Sequence, residues 1–68
     1  MIRVTDTLTG QTFDVDTVGD VYMTVDFILS AGDLTEYEEL AYAELLEDFD
    51  AFGTAFSDTL SIKIEVVA

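Results

Sequence analysis

The sequence contains no cysteine, histidine, tryptophan or proline, and only two of its 68 residues are basic. The absence of cysteine and histidine excludes disulfide bonds, thiolate and imidazole metal ligands, and every Ser–His or Cys–His nucleophile pair. A chain this short also has little room for a substrate pocket of about 300 Å³. We therefore predict a protein that is not an enzyme and that uses no cofactor and no metal.

The scarcity of basic residues leaves a large excess of acid, since 15 Asp and Glu against 2 Lys and Arg give a net charge of −13. So acidic a chain can be disordered, yet Leu, Ile, Val and Phe make up about a third of it. That share is above the roughly 20 % level below which high charge indicates disorder. We expect one folded domain over residues 1–68, because the length does not support a second.

Apolar runs are also short. The longest, such as Phe27-Ile28-Leu29, fall well below the ~20 residues that cross a bilayer. The first residues include Asp6 and form no apolar stretch of signal-peptide length. Membrane surfaces are usually anionic and repel a chain of this charge. These features predict a cytoplasmic protein without a membrane partner.

The N-terminal segment alternates in the manner of a β-hairpin. Ile2 and Val4 alternate with polar residues in its first half, and Phe13 and Val15 do so in its second half. Gly10 lies in the break between the halves, where it is free to adopt a positive φ. We predict two antiparallel strands here.

Residues 21–30 fit two interpretations. The residues Val18-Gly19-Asp20-Val21 suit a two-residue hairpin turn, and the alternation that follows favours a strand. The alternative is a helix with Asp20 as its N-cap and Gly32 just after its end. We favour the strand and keep the helix open.

The strongest helical pattern covers residues 35–49. Thr35 and Glu38 form a capping box, and acidic residues in the first turn complement the helix dipole. At 100° per residue, one broad apolar face gathers Leu34, Ala41, Tyr42, Leu45, Leu46 and Phe49.

Two further segments are interpreted as turns or loops. We predict a loop or frayed turn around Gly53 at residues 50–58, with Phe52 and Phe56 folded back into the core. Residues 14–20 resemble the start of a calcium-binding EF-hand loop, but Val18 and Val25 stand where that loop needs oxygen ligands. We therefore interpret 14–20 as an acidic hairpin edge.

The C-terminal segment predicts a final strand, because four apolar residues alternate with other residues: Leu60, Ile62, Ile64 and Val66. If the first and last strands pair, Arg3 and Lys63 lie on one surface of the sheet. These segments together predict an α+β fold, a small two-layer domain. It has a mainly antiparallel sheet of three to four strands packed by one main helix at 35–49. A helical 21–30 gives the order ββααβ instead.

The outer face of the 35–49 helix carries the candidate partner-binding residues. Carboxylates three or four residues apart lie roughly 5–6 Å from one another at Cβ, a spacing that imitates a row of phosphates. Tyr37 and Leu40 lie among them and are candidate apolar anchors, although packing against the edge of the core or a loop is the alternative. The full set is Glu36, Tyr37, Glu39, Leu40, Glu44, Glu47, Asp48 and Asp50.

In size, acidity and lack of catalytic residues, the chain resembles small phage-encoded DNA-mimic inhibitors, which include several anti-CRISPR proteins and, more loosely, anti-restriction proteins. The acidic segment from Glu36 to Asp50 carries most of this resemblance. The resemblance implies a monomeric phage protein in the host cytoplasm that blocks DNA competitively. Its partner would be a basic nucleic-acid-binding protein or complex, such as a CRISPR effector, and it would not bind nucleic acid itself.

Two other functions fit the same composition. Acidic, lysine-poor surfaces keep halophilic proteins soluble in concentrated salt, in which case the charge serves solvation. An accessory phage or plasmid protein that binds a different basic partner is the other alternative. The sequence alone leaves all three open.

Overall fold

The computed structural model describes residues 1–67. In chain order the elements are β1 (Ile2–Asp6), β2 (Thr12–Val15), α1 (Val18–Leu29), a short 3₁₀ helix (Ala31–Asp33), α2 (Glu36–Phe52), β3 (Thr54–Ser57) and β4 (Ile62–Val66). All strand pairs are antiparallel, and the sheet has the order β2-β1-β4-β3. The predicted two-layer α+β domain is therefore confirmed.

The centre of the sheet is the pairing of the first and last strands. Val4 lies opposite Ile64 of β4 on one side and opposite Phe13 of β2 on the other. Because side chains alternate along a strand, this register places the apolar residues of all three strands on one face. The predicted N-terminal hairpin is confirmed, and the first and last strands do pair, which was the condition for placing Arg3 and Lys63 on one surface of the sheet.

Both helices cover that apolar face. The sheet and the helices contribute to a single core, whose buried side chains are Ile2, Val4, Val21, Val25, Leu45, Phe49, Ala55, Leu60, Ile62 and Ile64. The Cα radius of gyration is 10.9 Å, and the principal-axis extents are 33 × 25 × 19 Å. Within residues 1–67, no helix lies over the opposite face of the sheet.

The strand favoured for residues 21–30 is wrong, because Val18–Leu29 is a helix. Thr17 is its N-cap and accepts a hydrogen bond at Oγ1 from the Asp20 N–H (3.1 Å), so Asp20 is not the cap. Ser30 ends the helix in the left-handed conformation at φ 50°, which takes the role expected of Gly32.

The capping box predicted at Thr35 is present. Thr35 Oγ1 accepts from the Glu38 N–H, and the Glu38 side chain accepts from the Thr35 N–H, each at 3.2 Å. The helix continues past residue 49 to Phe52, and Gly53 ends it at φ 72°. A positive φ of this size is strained for any residue with a Cβ, which explains the glycine.

The loop predicted for residues 50–58 is also wrong. Its first part is the last turn of α2, and Thr54–Ser57 forms the edge strand β3. The two phenylalanines placed in the core, Phe52 and Phe56, are both exposed. Ala55 of β3 is buried in their place. Because Thr54–Ser57 is a strand, the alternative order ββααβ also lacks one strand of the structure.

Candidate interaction surface

Both basic side chains lie on the uncovered face of the sheet. The register places Arg3 of β1 opposite both Asp14 and Glu65, and places Lys63 on β4 opposite Thr5. Arg3 Nε donates to Asp14 Oδ1 at 2.8 Å and Nη2 donates to Oδ2 at 3.2 Å. Lys63 Nζ lies 3.4 Å from Glu65 Oε2. The two cations and two carboxylates leave this face neutral.

The ion pair on this face also affects acid titration. The hydrogen bond and charge of Arg3 hold the pKa of the Asp14 carboxyl below its usual value. In turn, Asp14 raises the pKa of the guanidinium. The pair is solvent-exposed, so its contribution to stability is small.

All the uncompensated charge therefore lies elsewhere. Of the 15 acidic residues, Asp14 and Glu65 are matched by the two basic residues, which leaves thirteen. These thirteen lie on α1 and α2, in the short 3₁₀ helix, in the turns or at the end of β1, and neither α1 nor α2 contains a Lys or Arg. Seven of them belong to α2 alone. The protein thus has one neutral sheet face and an anionic remainder.

The solvent side of α2 carries a set of carboxylates that we call the acidic ridge: Glu36, Glu39, Glu44, Glu47 and Asp48, all exposed. Glu36 and Glu47 are eleven residues apart, so they lie on nearly the same line of the helix, about 16 Å from each other along its axis. The remaining members flank that line on both sides. The sequence prediction of an acidic outer helix face is consistent with this placement.

Tyr37 and Leu40 lie in the open among the ridge carboxylates. Their relative exposures are 70 % and 60 %, so neither wraps over the core nor packs on a loop. Together with Thr35, Glu36, Glu39 and Ala43 they line a shallow depression on the first turns of α2. An exposed aromatic and an exposed leucine surrounded by acids form a mixed apolar and anionic patch.

Asp50 has a different environment from the ridge. Both of its carboxylate oxygens accept from the Tyr22 hydroxyl of α1, at 3.3 and 3.2 Å. A second bond of the same kind joins the helices further along, where the Tyr42 hydroxyl donates to Asp26. Asp50, predicted as a partner contact, therefore helps to hold α1 against α2. This bond explains why an acidic residue lies near the C-terminal end of α2, where the helix dipole disfavours negative charge.

These helix-to-helix bonds shift the tyrosine titrations. Burial, with the Asp26 carboxylate beside it, raises the pKa of Tyr42 to about 12. Burial and the Asp50 carboxylate raise the pKa of Tyr22 as well. In both cases the neutral phenol is favoured, first because burial disfavours the charged phenolate and second because that phenolate would face a carboxylate.

Two features of the surface were not predicted from the sequence. Asp58, in the turn after β3, lies with Glu44 and Asp48 along a polar groove between α2 and β3. Met23 and Phe27 are exposed on α1 beside β2. Asp58 was missed because β3 was taken for a loop, and Met23 and Phe27 were missed because α1 was taken for a strand. The available signal was the spacing of Met23 and Phe27, which are four residues apart and so lie on one side of a helix.

Within residues 1–67, no group of three or more acidic side chains is placed to hold a metal ion, and no helix is both long and apolar enough to span a membrane. No family model matches the chain, and no curated protein or solved structure is significantly similar to it. Function is therefore inferred from the charge distribution and shape of the molecule itself.

Proposed function

We propose that this protein is a non-enzymatic DNA mimic that binds the basic nucleic-acid-binding groove of a host defence complex, such as a CRISPR effector, and excludes DNA competitively. The observation that carries the proposal is the separation of charge. Both cations are neutralised on one sheet face, while the helices, the turns and the end of β1 hold the thirteen remaining carboxylates.

The size of the molecule supports the proposal. Duplex DNA carries one phosphate per roughly 1.7 Å of axis, which gives about 19 charges over the 33 Å length of this protein. Thirteen uncompensated carboxylates are about two thirds of that number. A groove that accepts a short duplex therefore meets a body of similar length and comparable charge.

The apolar patch at the start of α2 supports binding to a protein surface. Charge alone mainly accelerates association, whereas desolvated aromatic and leucine side chains slow dissociation. Tyr37 and Leu40 are exposed beside Glu36 and Glu39, so all four reach the same partner surface. We assign the acidic ridge to electrostatic steering and these two residues to anchoring.

Binding kinetics test this division of roles. Changing Glu36, Glu44 and Glu47 together to Gln should slow association with the target complex and flatten its dependence on salt, with little change in dissociation. Changing Tyr37 or Leu40 to Ala should instead speed dissociation. The ridge variant should stay folded or become more stable, because it loses like-charge repulsion.

The matched control changes Asp6, Asp16 and Asp20 to Asn. This variant has the same net charge as the ridge variant, but its substitutions lie on β1, before α1 and in the first turn of α1. An equal loss of association rate in both variants would show that net charge alone matters. The acidity would then serve solvation, as in halophilic proteins, or a non-specific attraction.

A further inference from the structure

β2 is an edge strand whose outer side is open for pairing. It is hydrogen-bonded to β1 and to no other strand in residues 1–67. The Asp6 N–H donates to the Gln11 carbonyl at 2.8 Å, so main-chain groups of alternate residues from Gln11 onward point towards β1. The N–H and C=O groups of Thr12 and Asp14 therefore point away from the sheet, where they are able to pair with another strand.

An apolar groove runs directly beside this open edge. We call it the β2 groove, and it is lined by Phe13, Val15, Asp20, Met23, Thr24 and Phe27. Phe13 and Phe27 meet edge to face, with ring centroids 6.3 Å apart and an interplanar angle of 77°. Phe27 is nevertheless 76 % exposed, so most of its ring faces the open side of the groove.

The charges around the β2 groove determine which partner fits it. Asp20 lines the groove, and Asp16 follows the last residue of β2 directly. Arg3 and Lys63, the two basic residues, both lie on the other face of the sheet. The groove therefore combines apolar side chains with the Asp20 carboxylate, and neither Arg3 nor Lys63 lies on its side of the sheet.

We propose that β2 and the β2 groove bind an extended segment of a partner protein in which apolar residues alternate with Lys or Arg. Added as a fifth strand, this segment would pair with the main chain of Thr12 and Asp14. Its residue opposite Phe13 would direct its side chain into the groove, since directly opposed residues share a face. Basic residues at its ends would approach Asp16 and Asp20.

This surface is separate from the acidic ridge, so the inference goes beyond the proposed function. A second copy of the chain is a poorer occupant than a basic segment. Each copy carries a net charge of −13, and its two basic residues already lie against carboxylates on the uncovered face of the sheet, Arg3 against Asp14 and Lys63 against Glu65. Charge complementarity therefore favours a cationic segment.

The probe is a blocked heptapeptide of alternating lysine and apolar residues, acetyl-KVKFKVK-amide, titrated into the ¹⁵N-labelled protein. We expect amide shifts centred on β2 and α1, with slower hydrogen exchange at Thr12 and Asp14. The control peptide has the same side chains and charge but carries an N-methyl group on every residue, which blocks pairing along both of its edges. It should bind at least about tenfold more weakly.

Two protein variants locate the binding site. Phe27→Ser should weaken binding of the peptide by about tenfold, because the aromatic wall of the groove is lost. Phe52→Ser is the matched control, since Phe52 is 75 % exposed at the far end of α2, and it should change binding less than about twofold. Thr12→Pro removes the outward N–H without breaking a β1 pair, and it should also weaken binding.

Three results would overturn the inference. The first is equal affinity for the two peptides, and the second is equal effects of Phe27→Ser and Phe52→Ser. The third is concentration-dependent dimerisation in sedimentation that Phe27→Ser abolishes, which would make a second copy the occupant. None of these results bears on the acidic ridge, whose role is tested separately by association kinetics.

Discussion

The bond between Tyr42 and Asp26 gives the most direct test of how the two helices are held together. Tyr42→Phe removes the hydroxyl that donates to Asp26 and leaves the ring in place. Asp26 is exposed, so its carboxylate returns to water and is not left as a buried unpaired charge. The expected cost is therefore that of one net hydrogen bond, about 1 kcal/mol.

A loss of about 1 kcal/mol lowers the melting temperature of a domain this small by about 4–8 °C. Thermal unfolding followed by circular dichroism at pH 7 measures it. Tyr37→Phe is the matched control, because Tyr37 is 70 % exposed and donates no hydrogen bond in the described structure, and it should leave the melting temperature unchanged. Equal melting temperatures for the two variants would refute the helix-to-helix role of Tyr42.

The same bond predicts how stability changes in alkali. The pKa of Tyr42 is raised to about 12 in the folded protein, whereas an unfolded tyrosine titrates near 10. Between these values the unfolded chain has lost the Tyr42 hydroxyl proton while the folded protein still holds it. The stabilisation that protonated Tyr42 contributes is therefore complete below pH 10 and falls as the pH rises towards 12. Tyr42→Phe should show a shallower loss of stability over that range, and an unchanged slope would contradict the assignment.

Three further predictions concern the stability of the fold. The melting temperature should rise between low and moderate NaCl because screening weakens repulsion among the excess carboxylates, and a flat response would contradict this. Gly53→Ala should cost about 1 kcal/mol because φ is 72° there, whereas Gly32→Ala, which meets no atom within 4 Å and has no positive φ, should cost much less. Thr35→Ala should cost about 1 kcal/mol by removing one half of the capping box, and thermal unfolding with no shift would show that the cap is dispensable.

The elements with unambiguous local signals could be predicted from the sequence. The capping box at Thr35 and the apolar spacing after it located α2, and the alternation in the terminal segments located β1, β2 and β4. The alternation did not show that the first and last strands pair, because pairing depends on how distant segments pack. Local signals and tertiary packing agree in these segments.

The segment from Val18 to Leu29 could not be assigned because its residues satisfy two periods. Val21, Val25 and Leu29 alternate along a strand and are also spaced four apart along a helix. The buried positions Val21 and Val25 fit the helix, which leaves Met23 and Phe27 exposed. Packing against β1 and β2 decides between the periods, and the sequence does not contain that information.

Only part of the candidate site could be predicted, because the rest depends on how distant segments pack. The carboxylates of α2 are exposed wherever the helix lies, so the acidic ridge followed from the helix alone. The bond from Tyr22 to Asp50 and the position of Asp58 beside α2 depend on how distant segments pack. The β2 groove likewise exists only because α1 lies beside the edge strand.

The central claim is that the anionic side of this protein occupies a DNA-binding groove. It is tested most directly by displacement of a fluorescent duplex from purified CRISPR effector complexes and restriction enzymes at moderate salt. At least one complex should release its duplex as this protein is added. The ridge variant at Glu36, Glu44 and Glu47 should need about tenfold more protein, and the control variant at 6, 16 and 20 should resemble the unmodified chain. Simultaneous binding of duplex and protein to every complex they both bind, or equal weakening by the two variants, would contradict the claim.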